Sequence, residues 1–196
     1  MKSVCVYCGS SPGADEAFGL EARAFGSCLA RHGIRLIYGG GNVGLMGRVA
    51  DGALEAGGDV IGVIPHHLAD KELAHAGATE MIRVNSMHER KQLMADLSDG
   101  FVALPGGIGT LEELFETLTW LQLGLHRKPV GLLNVNGFWD QMLGFLDHMT
   151  ACRFLKPEHR DLLFVDTDGA RLLETMSSFQ APDAAKWLDR AAVDLR

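Results

Sequence analysis

Two charged residues stand where a charge needs a reason. Ser86-Met87-His88-Glu89 is a capping box that starts a helix, and on it Arg90, Leu93, Met94 and Leu97 share one face. A guanidinium keeps its proton at any ordinary pH. An Arg on an apolar stripe therefore needs a carboxylate or an anionic ligand, unless it packs its stem and carries its head out to water. The other residue is Glu113, fourth in Thr110-Leu111-Glu112-Glu113. It either caps its own helix or serves a ligand bound at the helix start. Leu111, Leu114, Phe115, Leu118 and Leu121 form the expected core stripe of that helix, which puts Glu113 on the opposite side with Glu116, Thr117 and Trp120. An aromatic on that side implies a second cover, either a partner subunit or the segment 65–79.

The ligand is argued from a glycine-rich turn. Pro105-Gly106-Gly107-Ile108-Gly109-Thr110 follows an apolar strand and opens a helix, so backbone N–H groups and the helix dipole converge on one point. A monophosphate held by amides and the Thr110 hydroxyl fits there. No Gly-Lys-Ser/Thr follows, so ATP hydrolysis lacks its lysine and its Mg²⁺ hydroxyl. A carboxylate one turn from such a phosphate reaches the attached sugar, where a base or a stabiliser of positive charge is useful.

A second turn, Gly39-Gly40-Gly41-Asn42-Val43-Gly44, also matches G-x-G-x-x-G. It follows the second strand rather than the first, and the nearest acidic residue, Asp59, precedes the next strand. Phosphate contact and close helix packing through Gly44 and Gly47 are both open readings.

Cys5-x-x-Cys8 has the spacing of a redox or zinc motif, but residues three apart on a strand face opposite ways and no second pair follows. Structural thiols are expected. His66, His67 and His75 fall in the long irregular segment 65–79 without ligand spacing to a carboxylate or Cys, so no metal is assigned.

Short Val, Ile and Leu runs at 4–7, 34–38, 60–64, 80–84, 101–104, 130–135 and 162–165 alternate with helix-length segments. The pattern predicts a Rossmann-like, doubly wound α/β domain over 1–180. It should hold a mostly parallel sheet of about seven strands, helices on both faces and ligands at the carboxyl ends of the strands. Residues 181–196 form a tail that Trp187 could dock as a last helix. The 196 residues carry a net charge of −7 and no basic run, which argues against a nucleic-acid polymer as partner. The apolar run at the start, MKSVCVYCGSSPG, is too short for a signal peptide or a membrane span, so a cytoplasmic location is expected.

Met87-His88-Glu89-Arg90-Lys91, taken with Pro105-Gly106-Gly107-Ile108-Gly109-Thr110-Leu111-Glu112-Glu113, resembles the LOG family of cytokinin-activating phosphoribohydrolases. The resemblance implies hydrolysis of the N-glycosidic bond of an adenosine 5′-monophosphate, commonly N6-prenylated, by a homodimer without a cofactor. It implies Arg90 and Glu113 as catalytic residues. Lys91, Gly107, Ile108, Gly109, Thr110, Leu111 and Glu112 complete the substrate-binding segments, and Glu72 and Thr119 are further contacts supplied in part across the dimer.

Members are often labelled lysine decarboxylases. Pyridoxal chemistry needs a Schiff-base lysine beside a phosphate cup. Lys2, Lys71, Lys91, Lys128, Lys156 and Lys186 offer no convincing one. The alternative reading is a carrier that binds a nucleotide or cofactor without hydrolysis, resembling the molybdenum-cofactor carriers.

Overall fold

The computed structural model describes residues 1–69 and 74–181. Seven strands, β1 (Ser3–Tyr7), β2 (Arg35–Tyr38), β3 (Val60–Pro65), β4 (Glu80–Val84), β5 (Gly100–Ala103), β6 (Val130–Leu133) and β7 (Leu163–Asp166), form one sheet in the order β4-β3-β2-β1-β5-β6-β7. Every neighbouring pair is parallel. The eight α-helices of the described residues are α1 (Glu16–Arg31), α2 (Gly44–Glu55), α3 (His66–Ala69), α4 (Met87–Asp96), α5 (Ile108–Gln122), α6 (Asp140–Ala151), α7 (Pro157–Arg160) and α8 (Gly169–Ser177).

The sheet separates two cores, as parallel strands covered on both faces require. Val4, Val6, Leu36 and Val102 pack with α1, α2 and α8, through Phe25, Leu29, Val49 and Leu172. On the other face Cys5, Ile37, Val63 and Phe101 pack with α4, α5 and α6, through Met94, Leu114, Leu118 and Leu146. Cys5 and Cys8 fall in different cores, in keeping with the period of two along a strand.

All seven expected strands are present, with ends shifted by one or two residues, as hydrogen-bond pairing rather than hydrophobicity sets them. Two expectations change. The start of the segment expected to be irregular, residues 65–69, is regular, since Pro65 ends β3 and His66–Ala69 make one helical turn. The tail, with Trp187, lies outside the described residues.

Chain direction across the sheet reverses at β1, which pairs with β2 on one side and β5 on the other. Loops after those strands diverge to opposite faces and leave a crevice at the carboxyl ends. The chain places its glycine turn and its capping box around that crevice. Ser86 Oγ accepts from Glu89 N at 3.1 Å, and the Glu89 carboxylate accepts from Asn85 N at 2.7 Å, which sets the entry of α4.

Candidate active site

A cleft of about 350 Å³ opens at the β1/β5 switch point. The end of β1 contributes Cys8, Gly9 and Ser10, α4 contributes Met87 and Arg90, and the start of α5 contributes residues 107–110 with Glu112 and Glu113; Met46 and Leu68 close the remaining sides. Gly107 is the N-cap of α5 and offers no side-chain cap, so the first N–H groups of the helix are left for a ligand. A Cβ at Gly107 or Gly109 would meet no atom of the chain within 4 Å. Neither glycine is demanded by packing, and the bare backbone serves close approach by a bound group. Gly106, behind them, is needed internally, because a Cβ there would run into the Thr110 hydroxyl.

Arg90 enters the cleft from α4 as a buried cation, 6% exposed. Its Nε donates to Val63 O at 3.0 Å and its Nη2 to Gly39 O at 2.9 Å, while Nη1 lies 3.8 Å from Met87 Sδ. Two backbone carbonyls, one within β3 and one just past β2, thus orient the fork that the sequence placed on an apolar stripe. Gly39 is the condition for this, since any Cβ there would occupy the position of Arg90 Nη2. The triple-glycine turn therefore makes room for the guanidinium, and none of its residues lines the cleft. Close packing, the second of the two readings above, accounts for Gly44 and Gly47, whose Cβ positions would clash with the backbones of Ser10 and Asn42.

Glu113 faces Arg90's cleft from α5, half-buried. The expected helix orientation needs correction. Thr110 and Thr117 are buried with Leu114, Leu118 and Leu121, whereas Phe115 is 36% exposed. The buried stripe is turned toward the threonines because their hydroxyls can be satisfied inside; Thr117 Oγ1 lies 3.0 Å from the Tyr7 hydroxyl of β1. Glu113 consequently flanks the core instead of opposing it, and the cover over Thr117 is the chain's own β1. Burial pushes the Cys8 and Cys5 thiols up, and the Glu113 charge pushes them further, against an opposing pull from Arg90. Both thiols stay protonated at neutral pH, and the end of β1 lies within the fields of both charged residues.

Of the residues singled out from sequence, Arg90, Gly107, Ile108, Gly109, Thr110, Glu112 and Glu113 converge on the cleft. Lys91 does not line it; its ammonium pairs with Glu112 and Glu116. Leu111 packs on the α5 side of the core, and Thr119 is exposed further along the helix. Glu72 and Lys71 lie outside the described residues. His75 donates from Nε2 to Asp51 at 3.1 Å and accepts Gly77 N on Nδ1 at 3.1 Å, so it straps its own segment down. Sequence reasoning missed Cys8, Gly9, Ser10, Met46, Leu68 and Met87. The rule placing ligands at strand carboxyl ends would have found the first three, once β1 was set beside β5.

Among the described residues, no lysine lines the cleft. Lys128 is engaged elsewhere, donating to Ala95 O at 2.7 Å.

Residues 46–176 match the family model described as possible lysine decarboxylase. The chain is 49% identical over 172 residues to the cytokinin riboside 5′-monophosphate phosphoribohydrolase of Rhodococcoides fascians, covering 86% of this chain and 87% of that protein. It is 45% identical to an Arabidopsis thaliana protein of the same activity, over 92% of this chain and 79% of the other. Among solved structures, the molybdenum cofactor binding protein of Rippkaea orientalis superposes with a TM-score of 0.68 at 23% identity, covering 91% and 97% of the two chains. The molybdenum cofactor carrier of Chlamydomonas reinhardtii gives 0.67 at 25%, covering 89% and 95%. The structural likeness at 23% identity concerns the fold, and the family match over 46–176 spans the cleft residues from Met46 to Glu113. The chain belongs to the LOG family, whose matching model carries the description of possible lysine decarboxylase.

Proposed function

We propose that this protein is a phosphoribohydrolase that cleaves adenosine 5′-monophosphates, N6-substituted or not, to free base and ribose 5-phosphate. The observation that carries the reading is the joining of an uncapped, glycine-lined helix start with Arg90 and Glu113 around one cleft. The 5′-phosphate binds the amides of Gly107 and Gly109 and the Thr110 hydroxyl, which leaves the ribose beside Glu113. The bond between C1′ and the base nitrogen breaks, its electron pair leaves with the base, and positive charge gathers on the ribosyl carbon. The Glu113 carboxylate stabilises that charge and takes a proton from the water whose oxygen bonds to C1′; the base leaves with a proton in return. Arg90, fixed by two carbonyls, positions the nucleotide and disperses its negative charge.

The same proposal includes a homodimer and a cytoplasmic location. Ile108, Phe115, Leu123, Leu125, Phe145 and Phe154 expose apolar surface on and near α5 and α6, which suits an isologous contact. Thr119 and Glu72 would then meet the nucleotide of the neighbouring subunit. Four free thiols, three of them buried, fit a reducing compartment.

The test is chromatographic. Purified protein is incubated with AMP, N6-isopentenyl-AMP and adenosine, and free base is quantified. Release from both monophosphates and none from adenosine is expected. Binding of the monophosphates with no release from either would favour a carrier over an enzyme.

A further inference from the structure

Lys91 stands next to Arg90 on α4, yet its ammonium is directed at the neighbouring helix. It is only 9% exposed, in direct contact with Glu112 Oε1 and 2.9 Å from Glu116 Oε2. The two carboxylates lie one turn apart on α5, so a single ammonium engages both. Burial alone would lower the Lys91 pKa, but the two carboxylates outweigh it and hold the amine above its ordinary value, charged throughout the neutral range.

The two helices rest on different parts of the sheet, α4 on β3 and β4, α5 on β1 and β5. Lys91 ties them side by side at the level of the cleft. Its chain neighbour Arg90 lines the cleft from α4, and Glu112 and its neighbour Glu113 line it from α5. We propose that Lys91 is a positioning residue that sets the separation of Arg90 and Glu113 through Glu112 and Glu116, rather than a contact to the nucleotide. A small change in that separation matters because hydrolysis needs the carboxylate and the bound ribose in register.

The proposal rests on the hydrolase reading, and its test begins with the wild-type chain; absence of base release there would sink the hydrolase reading itself. With turnover established, Lys91→Met, the pair Glu112→Gln/Glu116→Gln and the triple variant are compared by kcat and KM for AMP. Each is first checked by circular dichroism and thermal midpoint. The triple variant leaves no unpaired buried charge, so it keeps the comparison open if Lys91→Met folds poorly. We expect Lys91→Met to lose about tenfold in kcat with KM changed less than about twofold. The glutamine pair should reproduce that loss, the triple variant should be no worse, and Lys91→Arg should recover part of it. A rise in KM that the glutamine pair lacks would place Lys91 on the substrate and overturn the proposal. Additive losses in the triple variant, or wild-type kinetics in Lys91→Met, would overturn it as well.

Discussion

At the scale of single residues, the site depends on a cation that two backbone carbonyls hold in place. Arg90 rests on the carbonyls of Val63 and Gly39. Lysine keeps the charge but cannot reach two carbonyls from one planar fork, so Arg90→Lys should lower kcat/KM by about 10²-fold or more with the thermal midpoint nearly unchanged. Activity within a few-fold of wild type would show that charge alone suffices. Gly39→Ala tests the same geometry from the other side. A methyl there displaces the guanidinium and should cost activity although the substitution lies outside the cleft; unaltered kinetics would mean that the orientation of Arg90 is not used. Arg90 and Glu113 were both legible in the sequence, because a charge on an apolar stripe and a carboxylate beside a glycine turn need explaining. The service that Gly39 performs was not, since close approach to a side chain 51 positions away leaves no local pattern.

At the scale of elements, α5 shows how a helix can be found correctly and faced wrongly. Hydrophobicity assigns Phe115 to the core and Thr117 to the outside, but the Tyr7 hydroxyl inverts their roles. Such a partner is contributed by a strand 110 positions away and is not visible in a local period. The end of the same helix is secured by His126, whose Nε2 donates to Thr117 O at 2.9 Å while Nδ1 accepts Lys128 N at 3.1 Å. Burial, with the nearby Lys128, holds His126 below its ordinary value against the opposing effect of Thr117 O. The unfolded chain therefore takes up this proton first as pH falls. The stabilisation is complete above about pH 6.5 and declines as pH drops through the lowered folded value. Thermal midpoints measured from pH 7.5 to 5 should fall, and His126→Gln should flatten part of that fall. His159 is lowered by burial in the same direction and keeps the remainder. An unchanged slope in His126→Gln would remove His126 from the account.

At the scale of the whole molecule, alternating apolar runs and helical segments were enough to foresee a seven-stranded parallel sheet with helices on both faces. Strand order was not legible, because it depends on which strands pair across the β1 switch point, and the cleft residues of β1 were missed for that reason. The apolar surface around α5 and α6 makes the proposed dimer testable: Leu123→Glu/Leu125→Glu should shift the sedimenting species toward monomer and lower activity if Thr119 serves a neighbouring site. A monomeric wild-type chain with full activity would contradict that arrangement. The central claim is that one cleft binds a nucleoside monophosphate and breaks its glycosidic bond through Glu113. It is tested most directly by measuring AMP affinity and adenine release side by side in the wild type and in Glu113→Gln. The account predicts affinity within a few-fold and release lowered by about 10²- to 10⁴-fold, with adenine and ribose 5-phosphate formed in equal amounts by the wild type. Undiminished release from Glu113→Gln would contradict it.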